Sequence, residues 1–262
     1  MKIAHITPTR LLGLLLDSEE TYHLILADRV RSDPAYRDFY AKRSIRDGDF
    51  VILDNDAYEA GTSCDFRFLA ETIHQIQPAE VALADCMGDT EAECLKRAAA
   101  CAEYLFTHLT GRQPKFMGIP HAKDFSSYLH CVEEMMKIPG VGCIGIGKFA
   151  PTQFGFKPSF IAREVWDRVQ SQNPACEIHV LGMDDELELL KDPWAWDHIR
   201  GTDSAKLVRW GLLGLVATIA TTPPPVRRGK DYFDEVPNSF VSVAAKGNIR
   251  YWREMCKSKV TV

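Results

Sequence analysis

The sequence lacks the features of a membrane protein or of a cysteine-stabilised fold. Its longest apolar stretches, residues 11–16 and 211–220, are far shorter than the roughly 20 residues that a membrane-spanning helix needs. The first of them is followed at once by acidic residues, which is not the pattern of a signal peptide. Eight cysteines are present, but no two form a Cys-x-x-Cys pair, so we expect neither a zinc ribbon nor a redox motif. We expect reduced, mostly buried thiols in a cytoplasmic protein that has no membrane partner.

The chain as a whole also lacks a strong excess of positive or negative charge, but its two parts carry opposite net charges. The net charge is −5 over 262 residues. Residues 200–262 contain eleven Lys and Arg against five Asp and Glu, a net charge of +6, so the rest of the chain carries −11. A basic segment on an acidic body is a possible contact for a polyanion, although a solvated basic surface is the simpler explanation.

Alternation of short apolar runs with amphipathic segments indicates an α/β fold. Seven runs are predicted as strands, over residues 2–8, 50–54, 80–85, 115–120, 142–148, 177–183 and 198–203. An eighth, weaker strand is placed at 212–219. Strands that alternate with helices form a parallel sheet, and 262 residues match the roughly 250 of a (β/α)8 TIM-like barrel.

The two ends of the chain depart from this repeat. Two extra helices are predicted after the first strand, at residues 20–31 and 34–45, and a final helix at about 238–256. Residues 221–229 contain three prolines and two arginines and are predicted to be extended. We expect one domain over residues 1–262, with the barrel in 1–220 and a basic extension in 221–262 packed on it.

Three aspartates follow strands that are far apart in the sequence. They are Asp54, Asp85 and Asp203. Active sites of parallel barrels lie at the carboxyl ends of the strands, so these carboxylates should meet at one mouth. For each aspartate alone, capping of the following helix is an equally good explanation.

Other residues at the same strand ends could bind a ligand. Tyr58 could stack on a planar base or pack in the core, and His121 could orient a ligand or be structural. Lys148 could contact a phosphate, act as an amine nucleophile or form an ordinary salt bridge. Glycines at 145, 147 and 182 leave space beside a flat ligand.

Taken in order, the motifs resemble a known family. They are Leu-Asp-Asn-Asp-Ala-Tyr-Glu at 53–59, Ala-Asp-Cys at 84–86, Gly-Ile-Pro-His at 118–121, Gly-Ile-Gly at 145–147, His-Val-Leu-Gly at 179–182 and the aspartate at 203. This order is similar to that of the tRNA-guanine transglycosylase superfamily, in particular its short phage and bacterial branch, which is associated with putting 7-deazaguanine bases into DNA. The resemblance covers about residues 50–210.

The resemblance implies a role for each matched residue. Asp203 would be the nucleophile and Asp54 the general acid and base. The base would be bound by Asp85, Tyr58, His121, Gly145, Gly147, Leu181 and Gly182. Lys148 is added to the substrate-binding residues because of its place at the end of a strand, and not from the resemblance. The basic side chains of Arg200, Lys206, Arg209, Arg227, Arg228 and Lys230 would hold nucleic-acid phosphates. The implied reaction exchanges guanine for a 7-deazaguanine, such as 7-cyano-7-deazaguanine, through a glycosyl–aspartate intermediate, with no cofactor and no metal.

The sequence also departs from the family pattern. His121 stands where the family has a glutamine, and Asp56 replaces a glycine, which could crowd the pocket. The zinc-binding cysteines of the tRNA-modifying enzymes are missing, which favours DNA over tRNA as the partner. If a phage encodes the protein, its location would be the host cytoplasm.

Two alternatives stay open. One is a barrel lyase or isomerase that acts on a small phosphorylated metabolite, with Lys148 as the Schiff-base amine or phosphate ligand. The other is a non-catalytic protein that binds deazaguanine or nucleic acid, for which Asp56 in the pocket motif is the best support. The fold alone does not distinguish among these functions.

Overall fold

A computed structural model describes residues 1–182, 189, 192–216, 218, 232–234 and 239–258. The strands are β1 Lys2–His5, β2 Tyr22–Leu26, β3 Phe50–Asp54, β4 Glu80–Ala82, β5 Lys115–Gly118, β6 Val141–Gly147, β7 Glu177–Leu181 and β8 Gly201–Ser204. The helices are α1 Gly13–Asp17, α2 Ala27–Ser32, α3 Pro34–Ile45, α4 Ala57–Ala60, α5 Phe66–Ile76, α6 Glu91–His108, α7 Phe125–Met135, α8 Phe149–Phe154, α9 Pro158–Gln172, α10 Pro193–His198, α11 Lys206–Leu212 and α12 Ser239–Ser258.

All eight strands are parallel and belong to one sheet, in the order β1-β8-β7-β6-β5-β4-β3-β2. The end strands β1 and β2 also lie side by side, so the sheet curls into a nearly closed barrel. The predicted (β/α)8 TIM-like fold is confirmed. Its strands are buried on both faces, which explains why each reads as a short, almost continuous apolar run.

The prediction for the eighth strand was wrong. The strand that was not predicted is β2, which lies within residues 20–31. The sequence pattern indicated only a helix there, and this helix begins later, at Ala27. The segment Tyr-His-Leu-Ile-Leu is too short to show a period, so a buried strand and a buried helix are equally compatible with it. In the segment proposed instead, residue 212 ends α11 and residues 213–216 are not in a strand.

Several other predictions agree with the structure. Helix α3 has the predicted bounds, and α12 covers the predicted final helix. Thr90 and Glu93 form the predicted capping box at the start of α6. The proline-containing segment 221–229 lies outside the described residues.

The C-terminal helix α12 packs against the outer side of the barrel. Its Trp252 is fully buried in a small cluster with Ile3 of β1 and with Leu207 and Trp210 of α11. Gly211 of α11 touches the α12 backbone so closely that an added Cβ would lie 2.1 Å from Cα of Ala245. Close approach of two helices without a side chain between them fixes α12 against α11 and next to β1.

The amino ends of the strands are closed by a buried ion pair. Arg200, which directly precedes β8, donates from both terminal nitrogens to Glu80 at the start of β4, each at 2.6 Å. It also donates to Glu177 at the start of β7, at 3.1 Å. This end is therefore plugged by charged side chains, and the carboxyl ends of the strands form the other opening.

Candidate active site

The structure brings four carboxylates together at the carboxyl ends of the strands. Asp54 ends β3, and its pKa is raised well above the usual value, mainly by burial and then by the charges of Asp56, Asp85 and Asp203. Each of these three carboxylates therefore lies close enough to Asp54 to disfavour its charged form. A carboxyl group with a raised pKa is protonated at a pH at which an ordinary aspartate is ionised, so Asp54 can donate a proton.

Asp85 is held from both sides. Asn55 Nδ2 donates to Oδ1 of Asp85 at 2.8 Å and to the carbonyl of Leu83 at 2.6 Å. Nε2 of His121 lies 2.7 Å from Oδ2 of the same carboxylate. Burial would lower the pKa of His121, but the hydrogen bond and charge of Asp85 outweigh it, so the pKa of His121 is raised. His121 is therefore a donor to Asp85, and the carboxylate has one fixed orientation.

Asp203 is also fixed by donors from the protein. The backbone N–H of Gly182 donates to Oδ1 at 3.1 Å, and Nε2 of His179 lies 3.2 Å from the same oxygen. The other oxygen, Oδ2, faces the space beside Gly182, where an added Cβ would lie 3.8 Å away. Oδ1 thus accepts both bonds, whereas Oδ2 accepts none from the part of the chain that the structure describes.

The loop after β3 has a conformation that explains Asp56. Its φ is +65°, in the left-handed region that glycine adopts freely and that Asp tolerates better than most residues. Oδ2 of Asp56 accepts the backbone N–H of Asp28 at 2.7 Å, which ties the loop to the first turn of α2. Asp56 is therefore anchored to α2.

A cation and two aromatic rings lie at the rim of the site. Nζ of Lys148 lies 3.8 Å from the centroid of the Tyr58 ring and 5.2 Å from that of Phe149. The two ring centroids are 5.9 Å apart, and both side chains are about half exposed. An exposed pair of rings with an ammonium group between them can contact both a base and a phosphate.

The glycines at the strand ends serve different purposes. An added Cβ at Gly145 would lie 2.7 Å from Sδ of Met117 and 3.0 Å from Cδ1 of Leu181, so core side chains fill this space. At Gly147 an added Cβ would meet nothing within 4 Å. Gly147 thus borders open space, whereas Gly145 accommodates core packing. At Gly182 an added Cβ would touch Cδ of Lys148 at 3.7 Å and Oδ2 of Asp203 at 3.8 Å. The predicted ligand space beside Gly145 is taken up by Met117 and Leu181.

The basic residues proposed as phosphate contacts are separated in the structure. Arg200 lies at the opposite end of the barrel in the ion pair with Glu80, so its predicted phosphate contact is not supported. Lys206 begins α11 next to the end of β8, and Arg209 lies one turn further along. Arg227, Arg228 and Lys230 lie outside the described residues.

Sequence reasoning missed four residues that shape this site. Asn55 lies beside Asp85 in space and follows the candidate residue Asp54 in the sequence. Phe149 lies beside Tyr58 in space and follows the candidate residue Lys148 in the sequence. His179 was noticed only as part of a motif, and Tyr22 lay in a segment predicted as helix. For His179 and Tyr22 no local pattern was available, because their partners are 24 and 157 residues away.

Comparison with known proteins adds no assignment. No protein-family model matches the chain, and no curated protein matches it either. Within the described ranges, no helix is both long enough and apolar enough to cross a membrane. In the same ranges, no three His, Cys, Asp or Glu side chains are grouped as a metal site.

Proposed function

We propose that the protein is a base-exchange transglycosylase that replaces guanine in a nucleic acid, with DNA as the favoured polymer, by a 7-deazaguanine. The observation that carries this proposal is the contrast between two carboxyl groups at one mouth. Asp54 has a raised pKa and can hold a proton, whereas Asp203 receives two N–H donors on a single oxygen. A proton donor and a hydrogen-bonded carboxylate are the pair that glycosyl transfer with retention requires.

In the first half-reaction, Oδ2 of Asp203 attacks C1′ of the target nucleoside. The C1′–N9 bond breaks, its electron pair goes to the leaving guanine, and Asp54 supplies the proton that neutralises the base. This leaves a glycosyl ester on Asp203 and an ionised Asp54. In the second half-reaction, the incoming 7-deazaguanine attacks C1′ through the nitrogen that corresponds to N9, and this nitrogen gives its proton to Asp54. The bond between C1′ and Asp203 breaks, and Asp203 is released as a carboxylate.

Base selection is assigned to Asp85. A carboxylate accepts hydrogen bonds and donates none, so it matches the N1–H and 2-amino donors of guanine and of 7-deazaguanines. Each oxygen of Asp85 already accepts one bond, from Asn55 or from His121, and retains capacity for another. Adenine has no proton on N1 and no 2-amino group, and it would leave this carboxylate unmatched.

The rim residues are assigned to the polymer. The target nucleotide has to leave the base stack before Asp203 can reach C1′. Tyr58 and Phe149 offer exposed rings for the displaced base or its neighbour, and Lys148 lies close enough to both rings to contact the adjoining phosphate. Stacking on an aromatic ring contributes about 1–3 kcal/mol for each base.

A base-exchange assay tests the proposal. The protein is incubated with labelled guanine or labelled 7-cyano-7-deazaguanine and with duplex DNA, single-stranded DNA or tRNA in parallel. We expect label to enter DNA and to be absent with Asp203→Ala. Incorporation into none of the polymers, together with tight binding of the free base, would favour a binding protein instead. Borohydride-dependent labelling of Lys148 by a carbonyl substrate would favour the lyase alternative.

A further inference from the structure

A continuous line of buried polar groups runs through the barrel from the charged plug to the candidate nucleophile. Nε of Arg200 donates to the hydroxyl oxygen of Tyr22 at 3.1 Å. The Tyr22 hydroxyl lies 2.8 Å from Nδ1 of His179, and Nε2 of His179 lies 3.2 Å from Oδ1 of Asp203. Tyr22, on β2, and His179, on β7, are both buried.

The direction of each hydrogen bond in this line is determined by its ends. The guanidinium of Arg200 can only donate, so the Tyr22 oxygen accepts from it. The single proton of the Tyr22 hydroxyl then points to Nδ1 of His179, which must be unprotonated to accept it. The ring proton of neutral His179 is therefore on Nε2, where it is donated to Asp203. The opposite arrangement would leave the Tyr22 proton without an acceptor and set a bare nitrogen against a carboxylate.

The barrel is built to admit this line. An added Cβ at Gly201 would lie 2.8 Å from both Cε1 and the hydroxyl oxygen of Tyr22, so only glycine at 201 leaves room for the ring. The interior of such barrels is usually filled by branched aliphatic side chains, which carry no polar groups to satisfy. Buried polar groups that break this rule and are fully hydrogen-bonded commonly serve a functional site.

From this geometry we propose that His179, with its tautomer fixed by Tyr22 and Arg200, is a positioning residue that pins Oδ1 of Asp203 and leaves Oδ2 to react. The proposal rests on the proposed function only in naming Asp203 as the reacting group. Burial lowers the pKa of His179 in spite of the opposing effect of Asp203, in keeping with a neutral ring. The charged groups that act on this ring are Asp203, Arg200 and Glu80.

The first arm of the test measures the tautomer directly and needs no activity. Full-length protein labelled with nitrogen-15 histidine is studied by long-range proton–nitrogen correlation, and the His179 signals are identified by their loss in His179→Gln. We expect a neutral ring with the proton on Nε2 and an accepting Nδ1 between about pH 6 and 8. A proton on Nδ1, or a charged ring at neutral pH, would overturn the proposal.

The second arm compares Tyr22→Phe with Tyr128→Phe in the base-exchange assay. Tyr128 is a matched control because it is equally buried and its hydroxyl has no hydrogen-bond partner among the residues that the structure describes. We expect Tyr22→Phe to lower kcat by about 10- to 100-fold, the usual effect of losing a group that orients a catalytic side chain, with KM nearly unchanged.

The two arms separate the two proposals. If His179 carries its proton on Nε2 but no polymer undergoes base exchange, the positioning role of His179 is supported and the proposed function is contradicted. Base exchange by wild type, combined with an unchanged His179 tautomer and an unchanged kcat in Tyr22→Phe, contradicts the positioning role of His179 and leaves the proposed function intact.

Discussion

Nε2 of His121 lies 2.7 Å from Oδ2 of Asp85, and this contact raises the pKa of the histidine against the effect of its own burial. A residue whose pKa is higher in the folded than in the unfolded protein stabilises the fold below its unfolded pKa of about 6.5. The stabilisation is lost as the pH rises through the raised, folded value. The pair therefore gives the candidate base-binding site a stability that depends on pH.

We expect His121→Gln to lower the free energy of unfolding most at about pH 6, where the raised pKa keeps His121 charged. The difference from wild type should shrink as the pH approaches 9. Urea denaturation at a series of pH values measures it. His74→Gln, at an exposed position of α5, is the control and should show no such trend. A difference that stays constant with pH would mean that His121 contributes only by packing.

Asp54 should show a related dependence on pH through a carboxyl group. Its pKa is raised in the folded protein, so the folded state holds a proton that the unfolded state releases from about pH 4 upward. The free energy of unfolding should therefore fall as the pH rises from 4 towards the raised pKa. Asp54→Asn should remove this fall and be more stable than wild type at neutral pH.

The same substitution should abolish base exchange, because an amide cannot supply the proton that the leaving base needs. Asp167→Asn, at an exposed carboxylate of α9, is the control for both measurements. An Asp54→Asn variant that loses stability at neutral pH, or that keeps full exchange, would contradict the assignment of Asp54 as the proton donor.

Gly145 and Gly147 allow packing and ligand space to be tested separately. Gly145→Ala would force its new methyl group against Met117 and Leu181, and overpacking of this kind costs about 1–3 kcal/mol. Gly147→Ala meets nothing within 4 Å, so its stability should be close to that of wild type. If Gly147 borders the bound base, its substitution should instead raise KM or weaken binding of the free base. Equal loss of stability in both variants would show that Gly147 also serves packing.

The plug at the amino ends should be structural. Replacing Arg200 by Met leaves Glu80 buried without its partner, and breaking a buried ion pair in this way costs about 3–5 kcal/mol. Arg168→Met removes an ion pair to Glu133 in which the arginine is about half exposed, and its cost should stay within about 1 kcal/mol. Thermal and chemical unfolding of both variants measure the contrast. A loss below 1 kcal/mol for Arg200→Met would show that water reaches the plug.

Much of the fold could be predicted because it depends on local patterns. The apolar run of β6 predicts a strand from a few neighbouring residues, and the capping residues of α6 predict the start of a helix in the same way. β2 was missed because a run of five mostly apolar residues does not distinguish a strand from a helix, and only pairing with β3 decides between them. The error then moved the eighth strand to the wrong end of the chain.

The carboxylates of the site could be predicted because parallel strands bring their carboxyl ends to one mouth. The residues that hold these carboxylates could not, since Tyr22, His179 and Arg200 meet only across the barrel. Arg200 shows the limit most clearly. A basic residue beside a strand was assigned to the mouth, but it precedes β8 and therefore lies at the opposite end.

The central claim is that Asp203 forms a covalent bond to the sugar, and it is tested most directly by mass spectrometry of trapped protein. The protein is mixed with a guanine-containing oligonucleotide, quenched in denaturant and digested. We expect the oligonucleotide, without one guanine, on the peptide that contains Asp203, and no adduct with Asp203→Asn. An adduct on another residue, or base exchange that continues in Asp203→Asn, would contradict the account.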